Sequence, residues 1–167
     1  MSLIQHLKEN KEKILQKWFE EILKTYPPET TQHLKKNNNP FANPIGHTLG
    51  ESIFNIFEGI LEERSPDELI SDVDQIIKVR AVQDIKPSEA VNPVLLLKSI
   101  VRTEFEKIKN TAENREHYAV IDKIDHLILL SLDLYMESRE KINEIKLSEY
   151  NRQYYRLIQR GNQGQNN

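Results

Sequence analysis

Apolar residues recur at every third or fourth position through five long stretches of this chain, and no stretch shows the one-in-two alternation of a strand. Amphipathic helices satisfy that periodicity and sheets do not. The first stretch is read as one helix from Leu3 to Tyr26. Leu3, Ile4, Leu7, Ile14, Leu15, Trp18, Phe19, Ile22 and Leu23 form its apolar stripe, opposite Lys8, Lys11, Glu12, Lys17, Glu20, Glu21 and Lys24. Pro27 and Pro28 stop it, since neither can donate a backbone hydrogen bond and each crowds its predecessor out of the helical region. A short helical turn is expected over Thr30 to Lys36, then a loop at Asn37-Asn38-Asn39-Pro40.

Helix boundaries further along are marked by capping chemistry. Asn43 is a good N-cap and Pro44 falls at the first helical position, where its missing donor costs nothing. Ile45, Leu49, Ile53, Ile56, Phe57, Ile60 and Leu61 give that helix its buried face. Gly46 and Gly50 each forfeit roughly 1 kcal/mol of helix propensity relative to Ala, so close approach of another helix is expected there. Ser65-Pro66-Asp67-Glu68 has the spacing of a capping box and opens a helix, striped by Leu69, Val73, Ile76 and Ile77, that should end near Asp84. Ser88 is then expected to cap a helix reaching about Lys109, with a small kink at Pro93 and apolar residues nearly all round from Ala90 to Val101.

The last helix is predicted from Asn114 to Arg160, about 65 Å or longer at 1.5 Å per residue, which exceeds what one small domain can cover. Tyr118, Ile121, Ile124, Leu127, Ile128, Leu130, Leu134 and Tyr135 read as core in its first half. Beyond residue 137 it becomes charged, with a thin seam of Leu147, Tyr150, Tyr154 and Leu157 at three-four-three spacing, suited to a twin or another helix. Ile142 and Ile145 fall out of phase with that seam. The expected fold is therefore all-α. It is a single-domain helical bundle of five main helices and a short sixth over 1–160, with a protruding C-terminal helix over 137–160 and a disordered tail over 161–167.

Composition narrows function by exclusion. Lys plus Arg total 23 against 26 Asp plus Glu, a net charge of -3, so no basic excess exists to neutralise a nucleic-acid backbone. Cys is absent, which removes disulfides, thiolate-bound zinc and thiol catalysis together. The N-terminus mixes charge too finely for a secretory signal, and no apolar run approaches the ~20 residues that span a bilayer. A cytoplasmic protein without membrane insertion is expected.

No complete catalytic or metal signature emerges. His47 with Glu51, and Asp122 with His126, are each four apart on a helix and offer an alternative metal or small-ligand reading. Neither histidine has Glu three residues before it, so the plain account is ion pairing or a capped histidine, and neither metal nor cofactor is assigned. Arg80 and Asp84 are also four apart, which suits an intrahelical salt bridge. The alternative sets Arg80, Gln83 and Asp84 beside the Asn43 cap as a polar pocket or docking corner, able to hold a small anion with the donors at the Ser88 helix start. Arg152, Arg156 and Arg160 interleave with Tyr150, Tyr154 and Tyr155, but three arginines at a helix C-terminus complement its dipole without nucleic acid. Nothing assembles a nucleophile, a base and a group to orient it.

Several separated motifs nevertheless stand together in order: Leu15-Gln16-Lys17-Trp18-Phe19, Phe41-Ala42-Asn43-Pro44-Ile45-Gly46, Arg80-Ala81-Val82-Gln83-Asp84, Pro87-Ser88-Glu89-Ala90-Val91, Asp133-Leu134-Tyr135-Met136 and Arg139-Glu140-Lys141-Ile142. With them the chain resembles the RsbRD N-terminal domain family over about Leu3 to Arg160. The resemblance implies an all-helical bacterial input or interaction module that stands alone or precedes a STAS or histidine-kinase domain, and a departure from the multidomain pattern is expected here, with no such domain after Arg160. It implies a co-antagonist role toward the RsbT switch kinase in stress signalling, without turnover. Related stressosome N-terminal domains are globin-like, lack haem and form dimers, so a homodimer with a kinase or STAS-type partner is expected. On the same resemblance Asn43, Pro44, Gly46, Arg80, Gln83, Asp84 and Ser88 become the candidate ligand or partner-docking residues.

Overall fold

The computed structural model describes residues 2–36, 41–83, 85–108 and 114–164. Among them the regular structure is all helical: α1 (Leu3–Glu9), α2 (Lys11–Leu23), α3 (Pro28–Lys36), α4 (Pro44–Leu61), a 3-10 turn (Pro66–Leu69), α5 (Ile70–Ala81), α6 (Pro87–Ala90), α7 (Asn92–Lys107) and α8 (Asn114–Gly164). The expected all-α bundle with a long final helix is what forms.

The single first helix of the sequence reading is two, broken at Asn10. The Asn10 side-chain amide donates to the His6 carbonyl at 3.0 Å and so closes α1 from outside the ladder. The break lets α1 seat independently. His6 Nε2 lies 2.9 Å from Glu104 Oε2 of α7, with both residues buried, and Lys107 Nζ reaches the other Glu104 oxygen at 2.5 Å. Next, α2 buries the only tryptophan of the chain completely, and Trp18 Nε1 donates to the Pro93 carbonyl at 2.7 Å, pinning α2 to α7.

Asn43 works on two helices at once. Its Oδ1 accepts from Gly46 N at 3.0 Å, which caps α4, while its Nδ2 donates to the Leu34 carbonyl at 2.8 Å near the end of α3. An ideal Cβ at Gly46 would stand 2.3 Å from Asn43 Nδ2, so the glycine makes room for the folded-over cap. At Gly50 a Cβ would meet nothing within 4 Å. The close approach expected at these two glycines occurs instead at Gly59, whose Cβ would lie 2.4 Å from Leu69 Cδ2. Past α4 the chain reverses through Glu63 at φ 59°, with Arg64 N bonded to the Gly59 carbonyl at 2.8 Å.

The capping box forms as read, with the Ser65 backbone N–H and hydroxyl donating to Glu68 Oε2 at 2.8 and 2.9 Å. Its first turn is 3-10, and α5 ends at Ala81, short of the expected boundary near Asp84. Ser88 does not cap the next helix. Because Pro87 holds its predecessor extended, Lys86 (φ −67°, ψ 147°) takes the cap position, Pro87 becomes the first helical residue and Ser88 sits exposed inside α6. The kink expected at Pro93 is a break at Val91 between α6 and α7. α7 is not apolar all round in its surroundings either. It buries Val94, Leu97, Ile100 and Val101 but leaves Leu95 exposed, and Lys98 Nζ pairs with Asp125 of α8 at 2.5 Å.

α8 runs 51 residues, about 75 Å at the helical rise. Its first half packs on α5, α6 and α7 through Ile121, Ile124, Leu127, Ser131 and Tyr135, all buried. Tyr118, read as core, is 64% exposed, because that turn lies outside the inward stripe. Ile142 is the last side chain packed against the core, and residues 143–160 are exposed without exception. The helix continues to Gly164, four residues beyond its expected end and through the first part of the expected disordered tail, since adding one hydrogen bond per residue to an existing helix is cheap. Residues 165–167 of that tail lie outside the described residues.

Two expectations about stability follow. Gly46→Ala should destabilise by about 1 kcal/mol or more by displacing the Asn43 cap, whereas Gly50→Ala should stabilise by up to about 1 kcal/mol, and urea unfolding of the pair reads the opposite signs. Burial raises the Glu104 carboxyl pKa, but the hydrogen bonds and charges of Lys107 and His6 outweigh it and leave the value below the ordinary 4.5. A carboxyl lowered on folding contributes stability that is present above 4.5 and lost as pH falls through its folded value. Glu104→Gln should therefore flatten the acid limb of stability against pH below 4.5.

Candidate functional site

The two polar segments of the sequence reading open onto different clefts. The first, of about 660 Å³, lies between α2, α3 and α4, with Leu15, Phe19, Leu23, Leu34 and Ile53 as its apolar wall and Asn43, Gly46 and His47 at its edge. Asn43 is buried and committed to Gly46 and Leu34, Pro44 supplies the first helical position of α4, and Gly46 clears space for the cap. These three hold α3 and α4 in register.

His47 Nδ1 meets Glu51 at 3.3 Å on the exposed side of α4. His126 Nδ1 lies 2.8 Å from the backbone carbonyl of Asp122, not its carboxylate, and His126 lines a separate shallow cleft with Pro66, Asp67 and Lys123. The four groups of the alternative metal reading are thus not brought together, and among the described residues no three His, Cys, Asp or Glu side chains gather as a metal would require.

The second cleft, about 810 Å³, is built where several helix ends meet. Thr25 and Tyr26 come from the end of α2, Thr30 from α3, Arg80 and Gln83 from the end of α5, and Glu89 and Asn92 from the starts of α6 and α7. Arg80 does not sit beside Asn43, which lines the other cleft. The expectation of one corner joining them is corrected, since α5 directs Arg80 toward the α2–α3 connection. Arg80 is only 2% exposed. Its guanidinium lies over the Tyr26 ring at 4.4 Å and its Nη2 donates to the Thr25 hydroxyl, while its Nε is buried with no hydrogen-bond partner. Burial lowers its pKa below the usual guanidinium range, opposed by Tyr26 and Glu89. Gln83 is exposed in the same cleft, Ser88 is outside its lining, and Asp84, with its expected salt bridge to Arg80, lies outside the described residues.

Compared with known proteins, the chain matches the RsbT co-antagonist protein rsbRD N-terminal domain over residues 12–149. The chain belongs to that family. No curated protein matches it, and no solved structure does. Membership places it among regulatory input modules of the RsbT co-antagonist type in stressosome signalling. The match spans both polar segments, with Tyr135 and Arg139, and ends just before Tyr150.

In this rsbRD N-terminal domain the second cleft is tied directly to the long helix. Tyr135 Oη donates to the Ile85 carbonyl, and Arg139 Nη1 donates to the Ala81 carbonyl at 2.9 Å. The two side chains are one helical turn apart on α8 and grip both ends of the α5–α6 connection, immediately after Arg80. As site residues the sequence reading missed Thr25, Tyr26, Thr30 and Glu89. It read Tyr135 as core and as a motif position, and Arg139 as a motif position alone. Their four-residue spacing is visible in the sequence, but their backbone partners are 50 and 58 residues away.

Tyr135→Phe and Arg139→Ala should each cost about 1 kcal/mol, and together less than the sum, because releasing one end of the connection weakens the hold on the other. Native-state hydrogen exchange should show faster opening at Gln83, Ile85 and Lys86 in both variants, with protection of α2 unchanged.

Proposed function

We propose that this domain is a non-catalytic input and interaction module of bacterial stress signalling. It works as a homodimer paired through the exposed half of α8, and that helix docks on a kinase or STAS-type signalling protein. The observation that carries the reading is the contrast along α8, whose first half is gripped by the body and whose remainder presents apolar side chains to solvent. Leu147, Tyr150, Tyr154 and Leu157 are 62, 71, 58 and 66% exposed, spaced as the a and d positions of a two-stranded coiled coil. Ile158, also exposed, flanks this seam, whereas Ile145 stays out of phase with it.

A second copy of the same chain is the favoured occupant, because the flanking positions nearest the centre of the seam are Asn151 and Gln153. Neither is charged, so twin helices meet there without like-charge repulsion. Nucleic acid is disfavoured by the net charge of -3. Among the described residues no helix is long and apolar enough to cross a membrane, which agrees with a cytoplasmic setting. Family membership supports the signalling role, and the RsbT-type kinase is the partner class it suggests.

Association must offset about 4–15 kcal/mol of lost translational and rotational freedom, so two turns of seam should give a micromolar dimer. Light scattering across the micromolar range should return a mass that rises from 19.6 kDa toward twice that value, and Tyr150→Glu with Leu157→Glu should return the monomer with thermal unfolding of the body unchanged. A wild-type protein that stays monomeric across that range would refute the pairing.

A further inference from the structure

We infer that the cleft beside Arg80 binds a small zwitterion of the amino-acid type, its carboxylate held by Arg80 and its ammonium group by Glu89. The inference stands apart from the dimer, since the cleft lies wholly on the body of the domain.

Arg80 is a buried cation left short of partners. One face of its guanidinium rests on Tyr26, Nη2 is spent on the Thr25 hydroxyl, Nε has no partner, and no described carboxylate forms an ion pair with it. Burying a charge without a counter-ion costs several kcal/mol, and buried side-chain donors are almost always satisfied in native proteins. A carboxylate entering the cleft would supply both missing things, because the planar fork of arginine presents paired donors at carboxylate spacing.

Glu89 decides between a simple anion and a zwitterion. It lines the same cleft, is exposed, and takes only a 3.3 Å bond from the Lys86 backbone, so its charge remains available to a cation. It is close enough to raise the Arg80 pKa yet forms no ion pair with it. A phosphate dianion at Arg80 would be repelled by Glu89, whereas a molecule carrying both charges is held at both ends. Thr30 and Gln83, in the same lining, offer neutral hydrogen-bonding groups, and about 810 Å³ accommodates an amino acid with its side chain.

The test is a titration of the full chain with the free standard amino acids, followed by amide NMR shifts and calorimetry. N-acetyl and carboxamide derivatives of each binder, and inorganic phosphate, serve as comparisons. At least one free amino acid should bind saturably, with shifts centred on Thr30, Gln83, Glu89 and Asn92, and blocking either charged end should weaken it roughly tenfold or more. Glu89→Gln, an exposed change that leaves the fold intact, should lower affinity by a similar factor and remove the preference for the free over the N-acetylated form. Arg80→Lys, which keeps the charge but loses the fork, should weaken binding of the free acid more than that of its carboxamide. Overturning results are the absence of any saturable binder at millimolar concentration, equal binding of blocked forms or phosphate, or indifference to Glu89→Gln.

Discussion

Two hydrogen bonds to main-chain carbonyls, from Tyr135 to Ile85 and from Arg139 to Ala81, fix where the body of this domain ends and its rod begins. Before them, α8 is seated by a continuous stripe of Ile121, Ile124, Leu127 and Ser131. After them, Ile142 is the one described hydrophobic side chain that still packs against the core. The rod is then supported by its own backbone ladder and by surface pairs such as Glu137 with Lys141 at 2.6 Å, and such pairs contribute little in water. A long helix that buries no face has little beyond propensity to hold it, so its exposed apolar seam would gain from a partner.

What was legible in the sequence was whatever depends on local chemistry. The 3.6-residue period gave the helices, Asn43-Pro44 and Ser65-Pro66-Asp67-Glu68 gave two helix starts, and the charged sequence with a thinner apolar seam past residue 137 gave the departure of α8 from the core. The errors also have local causes. Ser88 is a better capping residue than Lys86 by side chain, but Pro87 restricts the backbone before it and so places the helix start earlier. The Asn10 break was hidden because its stripe residues remain in phase on both sides, and only the side-chain bond to His6 reveals it.

The candidate site was half legible for a different reason. Arg80 and Gln83 were singled out, and they do line one cleft. Their companions Thr25, Tyr26, Thr30 and Glu89 arrive from other helix ends, and no spacing rule links residue 25 to residue 80. Asn43 and Gly46 show the converse. Their motif is as conspicuous as that of Arg80, yet its geometry is spent on capping α4 and tying it to α3, where a glycine is needed because a Cβ would collide with the cap. Conspicuous polar text marks either a site or a joint, and only packing tells them apart.

The arrangement of the second cleft bears on how a regulatory input domain can respond to a ligand. A ligand can shift a conformational equilibrium only by its differential affinity for the two states, so it must touch an element whose position differs between them. The connection between α5 and α6 meets that requirement geometrically. Arg80 at its near end faces the cleft, while the Ala81 carbonyl one residue later is held by Arg139 of α8. A carboxylate bound from the cleft side would offset the desolvation cost of the buried guanidinium, and any movement of α5 that accompanied this would act on the hydrogen bond from Arg139 to the Ala81 carbonyl. If the inferred ligand does bind, coupling between cleft and rod would need no chain of intermediaries, only the Ala81 carbonyl that α5 presents to Arg139 of α8.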